Sequence, residues 1–225
     1  MRSSVLLLCL LSISWARVNG NTCQAHSEDQ CGQPGIGWNS GLCNSIHGGI
    51  KGNTHNLSVL INRHFSESFK FMLMASYFNS AEINRLGFHK FFQEYSDRLW
   101  SNGKDVLKYT LSRGTTMDTN LQVSSLDMPN YKGEVLSMST SLDMMKKLIQ
   151  DTRLVYKHAA NKHVATDNPE KESYDPPLLH FLEEKLMEDY SDRIRDLAGK
   201  LNVLARIARN DKTKFMGFHL FDKSL

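Results

Sequence analysis

The chain has 225 residues, of which 40% are hydrophobic, and this is enough for one folded domain with a substantial core. The net charge of +3 is spread along the sequence without a basic block, which argues against an electrostatic surface for nucleic acid. No apolar run reaches the roughly 18 to 20 residues that a transmembrane helix needs, so we expect no membrane-embedded part in the mature protein.

The first twenty residues are typical of a cleaved signal peptide. Arg2 precedes an apolar run from Val5 to Ile13, and small residues follow near Ala16 and Gly20. This run is too short to cross a membrane. We therefore assign residues 1–20 to a signal peptide and expect the mature chain to pass through the secretory pathway.

Residues 21–55 are rich in Gly, Ser, Asn and Cys and show no sustained hydrophobic period, which predicts an irregular N-terminal extension. The extension contains Cys23, Cys31 and Cys43, and the secretory pathway is an oxidising compartment that favours disulfides. Three is an odd number, so two interpretations remain. One is an internal bridge plus a free thiol, and the other is an internal bridge plus a disulfide to another chain.

A helical domain is predicted for residues 56–225. It begins with the sequon Asn56-Leu57-Ser58, which makes Asn56 a candidate glycosylation site. Four long segments carry apolar residues at helical spacing, and a shorter fifth segment follows. They run from residue 57 to 79, 83 to 112, 135 to 163, 176 to 204 and 215 to 225.

The connections between these segments predict the topology. Residues 113–130 lack helical periodicity and contain Pro129, so they form a connection long enough to run the length of a helix. Asp175-Pro176-Pro177 marks the start of the fourth helix, because proline suits the first turn of a helix and not its interior. No strand signal is comparably strong. The sequence therefore predicts an all-α four-helix bundle with a long crossover between helices 2 and 3 and a short fifth C-terminal helix.

Several stretches resemble the ferritin family. They are INRHFSESFKFMLMASYFN in the first helix, FLEEKLMEDYSDRI in the fourth and LFDKSL at the end, and the resemblance covers residues 55–225. With its signal peptide and cysteine-bearing extension, the chain looks most like a secreted insect ferritin subunit. The resemblance implies a hollow shell of two dozen subunits that stores ferric iron.

The resemblance also locates six positions at which heavy-type ferritin chains hold a di-iron site and oxidise iron(II), and which light-type chains leave without ligands. In this chain they are His64, Phe71, Leu99, Asn102, Met145 and Tyr190. A di-iron site needs several carboxylates and usually a Glu-x-x-His motif, and this motif occurs nowhere in the sequence. We interpret His64 and Asn102 as a hydrogen-bonded polar pair rather than ligands of one weakly bound cation, and the other four as core residues.

Two other pairs are candidate metal-contacting groups. Glu94 and Asp97 share a face of the second helix. On the ferritin template this face looks into the cavity, where light-type chains place acids that nucleate mineral; the alternative is an ordinary solvated helix face. His180 and Glu183 lie near the start of the fourth helix, where the resemblance implies a three-fold pore. His180 replaces the aspartate that is usual there, and this puts metal passage in doubt.

The sequence therefore favours a light-type, non-ferroxidase subunit without a dedicated di-iron centre, assembled with heavy-type subunits. We expect it in the ER and Golgi lumen and in haemolymph, and we expect an inter-subunit disulfide, with Cys23 as the bridging residue. One alternative is a ferroxidase subunit with an atypical site of His64, Asn102 and Glu94. Another is a secreted helical-bundle carrier or signalling protein that forms no shell.

Overall fold

The structure, a computed structural model, describes residues 44–116, 132–161 and 173–225. Its helices all lie in the unit Ile46–Leu225. They are α1 (Ile50–Phe78), α2 (Leu86–Ser112), α3 (Glu134–Ala159), α4, which comprises Pro176–Leu182, a π-helical turn at Glu183–Met187 and Glu188–Ala208, and α5 (Lys214–Ser224). These three ranges contain no strand. The predicted bundle of four long helices and a short fifth is confirmed.

The first helix starts earlier than the sequence period indicates. It begins at Ile50 rather than at residue 57, so the predicted boundary between extension and bundle, after residue 55, falls inside α1. Tertiary contacts explain the difference, because the Asn53 side chain donates to the carbonyls of Gly49 (2.8 Å) and Ser173 (2.7 Å). Gly49 also packs so closely on Ser173 that a Cβ would lie 2.4 Å from its carbonyl carbon.

Two other predicted segment limits concern the connections. Helix α3 ends at Ala159, four residues before the predicted end at residue 163. Most of the predicted crossover lies outside the described residues, because these stop at residue 116 and resume at residue 132. None of the helices in the described ranges is long and apolar enough to span a membrane.

The start of α4 is fixed by a buried ion pair. Asp175 caps the helix by accepting from the backbone N–H of Leu178 at 3.1 Å, and two prolines occupy the first turn, as the sequence predicts. The same carboxylate accepts two hydrogen bonds from Arg113, at 2.9 and 3.2 Å. The side chains of Arg113 and Asp175 are 8% and 0% exposed. This pair therefore joins the end of α2 to the start of α4.

Aromatic side chains fill the core between α1 and α2. Phe78 stacks on Phe88 and Phe92, with ring centroids 5.0 and 5.5 Å apart. The stack continues to Phe221 of α5, whose ring lies 5.7 Å from that of Phe88. The N–H of Phe88 also donates to the Asp222 side chain at 3.0 Å. These contacts pack the C-terminal helix against the start of α2.

Helix α4 buries residues at an unusual interval. Near its start, Leu178 is completely buried, whereas Leu179 is only half-buried. The next three fully buried residues are Leu182, Leu186 and Tyr190. Steps of four residues are longer than the average helical turn of about 3.6 residues, and the π turn at Glu183–Met187 accommodates them.

Candidate functional site

The six positions of the predicted vacated metal site all lie inside the bundle, with side chains supplied by α1 to α4. Four of them are fully buried, and Leu99 and Asn102 are 1% and 6% exposed; the four are His64, Phe71, Met145 and Tyr190. Phe71 stacks on Tyr95 at 5.3 Å, and the apolar members belong to the main hydrophobic core. The structure brings three of the six, His64, Asn102 and Tyr190, into direct contact through hydrogen bonds.

The hydroxyl of Tyr190 is the centre of this hydrogen-bond network. The Nδ1 of His64 lies 2.7 Å from the Leu60 carbonyl, so Nδ1 carries the proton and Nε2 accepts a hydrogen bond from the Tyr190 hydroxyl. The Nδ2 of Asn102 donates to the Tyr190 oxygen at 3.2 Å. The polar atoms that join the three side chains thus have partners, as buried polar groups require.

This geometry corrects the predicted direct pair between His64 and Asn102. His64 and Asn102 each form a hydrogen bond with Tyr190 instead. The sequence interpretation had treated Tyr190 only as a core residue. The choice of residue type carried a signal, because a buried tyrosine hydroxyl normally has a hydrogen-bond partner. An interior stripe with His, Asn and Tyr on three helices therefore predicts a network that includes all three side chains.

The network is uncharged at neutral pH. Burial lowers the pKa of His64 to about 4, against weaker opposing effects of the Leu60 carbonyl and Asp151. Burial likewise raises the pKa of Tyr190. Asp151, whose negative charge opposes the lowering of the His64 pKa, is itself paired with Arg63 at 3.0 Å.

The six side chains do not fit a di-iron centre. They provide one imidazole that is held by two hydrogen bonds, one amide, one phenol and three apolar groups, but no carboxylate to offset the charge of two cations. Across the described ranges, no three His, Cys, Asp or Glu residues lie close enough together to hold a metal ion.

Glu94 and Asp97 lie on the surface of α2 among arginines. Glu94 is 3.4 Å from Arg193 of α4, and Arg193 also pairs with Asp189 at 3.2 Å. Arg98 binds Asp189 as well, at 2.8 Å. Sequence reasoning missed this cross-helix network because its members are far apart in the chain. The role of Glu94 and Asp97 in mineral nucleation stays a prediction.

His180 and Glu183 do not pair with each other in the structure. His180 lies 3.3 Å from Glu184, and Glu183 accepts a hydrogen bond from Tyr156 of α3 at 3.3 Å. His180, Glu183 and Glu184 border an open surface concavity of about 640 Å³. The other acidic residues that line it are Glu188 and Asp192. Their role at a pore stays a prediction.

Comparison with known proteins identifies the family. The model of the ferritin-like domain matches residues 54–207, which is more than half of the chain. The chain belongs to the ferritin family. The ferritin light chain of Trichoplusia ni is 29% identical to it, and the alignment covers 96% of this chain and 94% of that one. The light chain of Drosophila melanogaster is also 29% identical, over 98% and 95% of the two chains.

Two further comparisons with ferritins have a lower sequence identity or cover less of this chain. The Trichoplusia ni ferritin heavy chain is 27% identical over 70% of this chain and 72% of its own. The crystal structure of Trichoplusia ni secreted ferritin superposes with a TM-score of 0.72 at 25% identity, covering 90% of this chain and 97% of that one. Membership of the ferritin family makes the chain an iron-storage subunit, and the relatives include chains of both types.

Proposed function

We propose that this chain is a light-type subunit of a secreted ferritin shell and that it stores ferric iron without oxidising iron(II) itself. The observation that carries the proposal is the interior of the bundle. Where a di-iron site would need carboxylates, this chain has apolar side chains and a neutral network of His64, Tyr190 and Asn102. The near-complete alignment with two insect light chains supports the same conclusion.

Oxidation of iron is then the task of heavy-type subunits in the same shell, and this chain contributes wall and mineral support. Its exposed apolar surface is consistent with burial against other subunits. Phe215, Met216 and Leu220 of α5 are 72%, 64% and 61% exposed, and such clusters on a surface mark protein contacts. We further propose that Glu94 and Asp97 assist mineral nucleation and that His180 and Glu183 line a pore.

The chain purified alone is expected to oxidise iron(II) no faster than the buffer, because none of the six interior positions has a carboxylate. Stopped-flow absorbance after mixing with aerobic iron(II) measures the rate, with a heavy-type ferritin subunit as the positive control. Fast, saturable oxidation that His64→Ala abolishes would overturn the light-type assignment.

The two alternative functions differ in measurable ways. An atypical ferroxidase site of His64, Asn102 and Glu94 is disfavoured because Glu94 is exposed and pairs with Arg193, while His64 is fully buried and hydrogen-bonded. A carrier or signalling protein would not form a shell. The mass of the native particle separates that alternative from ferritin assembly.

We propose that residues 1–20 direct the chain into the secretory pathway and that the chain acts in the ER and Golgi lumen and in haemolymph. The relatives support this route, since the Trichoplusia ni protein of similar fold is a secreted ferritin. Cys23, Cys31 and Cys43 lie outside the described residues. We propose one bridge within the extension and one, through Cys23, to a heavy-type subunit, because an accessible thiol in an oxidising compartment normally finds a partner.

Non-reducing electrophoresis of the native particle is expected to show a band near the summed mass of two different subunits, which reductant converts to monomers. Thiols are blocked at lysis so that the bridge cannot form during preparation. Cys23→Ser should remove the band, and Cys43→Ser is the matched control. Monomers alone in the non-reduced wild type would show that the third cysteine is a free thiol.

A further inference from the structure

A groove between α1 and α3 has no role in the functions proposed above. Its volume is about 360 Å³, within the range of roughly 300 to 1,000 Å³ that is common for small-molecule sites. Apolar side chains line its middle, and two of them are well exposed, Val59 at 53% and Leu154 at 63%. Polar groups lie at its borders, namely the ion pair of Arg63 with Asp151 and the imidazole of His158.

Asn56 also lines this groove. It precedes Val59 and Arg63 by three and seven residues, a spacing that places all three on one face of α1. The neighbouring polar groups have partners, since His158 lies 2.9 Å from the Asn53 side chain. The side-chain amide of Asn56, in contrast, makes no hydrogen bond within the described part of the chain.

We propose that Asn56 carries an N-linked glycan and that the first N-acetylglucosamine of this glycan lies in the groove between α1 and α3. A pyranose ring has apolar C–H faces and a rim of hydroxyl and amide groups. The groove matches this pattern, because Val59 and Leu154 offer apolar surface while Arg63, Asp151 and His158 offer hydrogen-bonding groups around it. The proposal rests on the proposed function in one respect, the entry of the chain into the secretory pathway, because glycan transfer takes place in the ER lumen.

The modification is a group transfer from a lipid-pyrophosphate-linked oligosaccharide. The Nδ2 of Asn56 forms a bond to the anomeric carbon, the bond from that carbon to the pyrophosphate oxygen breaks, and the pyrophosphate leaves with the electron pair. One amide proton is released. The Ser58 hydroxyl of the sequon is buried in the folded chain and donates to the Thr54 carbonyl at 3.0 Å, so transfer precedes the folding of α1.

The test uses the full chain secreted from insect cells. Its intact mass is expected to fall after treatment with a peptide N-glycosidase, and Asn56→Gln should remove this difference. If the first sugar lies in the groove, the glycosidase should release the glycan at least about tenfold more slowly from the native protein than from the denatured protein.

Leu154→Ser removes apolar surface from the groove and is expected to speed native release several-fold. Val203→Ser is the matched control, because Val203 is 48% exposed on α4 and does not line the groove. Denatured release should be equal for all variants. A chain with no releasable glycan overturns the proposal. So does native release that is as fast as denatured release, or that Leu154→Ser leaves unchanged. These readouts are independent of shell assembly and iron oxidation, so their failure is distinguishable from failure of the light-type assignment.

Discussion

The double substitution Leu99→Glu with Asn102→His is expected to lower the free energy of unfolding by about 3 to 5 kcal/mol in the presence of a chelator. It places the glutamate and the histidine of a Glu-x-x-His motif at positions that are 1% and 6% exposed. The new carboxylate would be buried without a counter-charge, and the Tyr190 hydroxyl would lose the hydrogen bond from Asn102. For a chain of this size, such a change lowers the melting temperature by about 6 to 20 °C.

The matched control is Leu111→Glu on the same helix, where Leu111 is 50% exposed and a charge stays in water. Its melting temperature is expected to stay within about 2 °C of the wild type. Calorimetry of the full-length chain in chelator measures both variants. If the double variant melts with the wild type, the α2 stripe is not buried in solution.

Asp175→Ala is expected to cost about 3 to 5 kcal/mol, because it leaves the Arg113 guanidinium buried without its counter-charge. The variant also loses the N-cap of α4, where Asp175 accepts from Leu178 at 3.1 Å. Asp175→Asn separates the two effects. Asparagine is also a good N-cap, and so keeps the cap's contribution of about 1 kcal/mol, but it carries no charge to pair with Arg113.

The control for the ion pair is Asp196→Ala. Asp196 pairs with Lys200 one turn later on α4, and their side chains are 50% and 30% exposed, so the loss should not exceed about 1 kcal/mol. Denaturant unfolding of the full-length variants gives the comparison. A loss for Asp175→Ala no greater than that for Asp196→Ala would contradict the stabilising role of the buried pair.

The sequence predicts the helices well because their apolar residues recur at helical spacing over more than twenty residues. Phe88, Phe92 and Tyr95 of α2, for example, are all buried. The start of α1 is predicted poorly, since residues 50–56 are helical through contacts of Gly49 and Asn53 with the segment at Ser173. Contacts over such separations leave no periodic trace in the chain.

The candidate site is only partly predictable for the same reason. The absence of carboxylates at six positions can be read from the sequence, but the partners of His64 cannot, because Tyr190 lies 126 residues away. The pairing of His180 with Glu184 was also missed. By helical spacing alone, His180 can pair with either Glu183 or Glu184. In the structure it pairs with Glu184, because Glu183 accepts a hydrogen bond from Tyr156 of α3.

The π turn of α4 lets residues on both sides of it face the core, whereas a regular α-helix of the same length would rotate one set away from it. At about 100° per residue, the twelve steps from Leu178 to Tyr190 rotate an ideal α-helix about 120° beyond three full turns. Both residues nevertheless point inward, because the wider turn at Glu183–Met187 takes up much of this excess rotation. The π turn therefore accommodates one extra residue in α4 while the residues after it still face the core. An α-helix that is regular throughout would present the same two inward residues with one residue fewer between them.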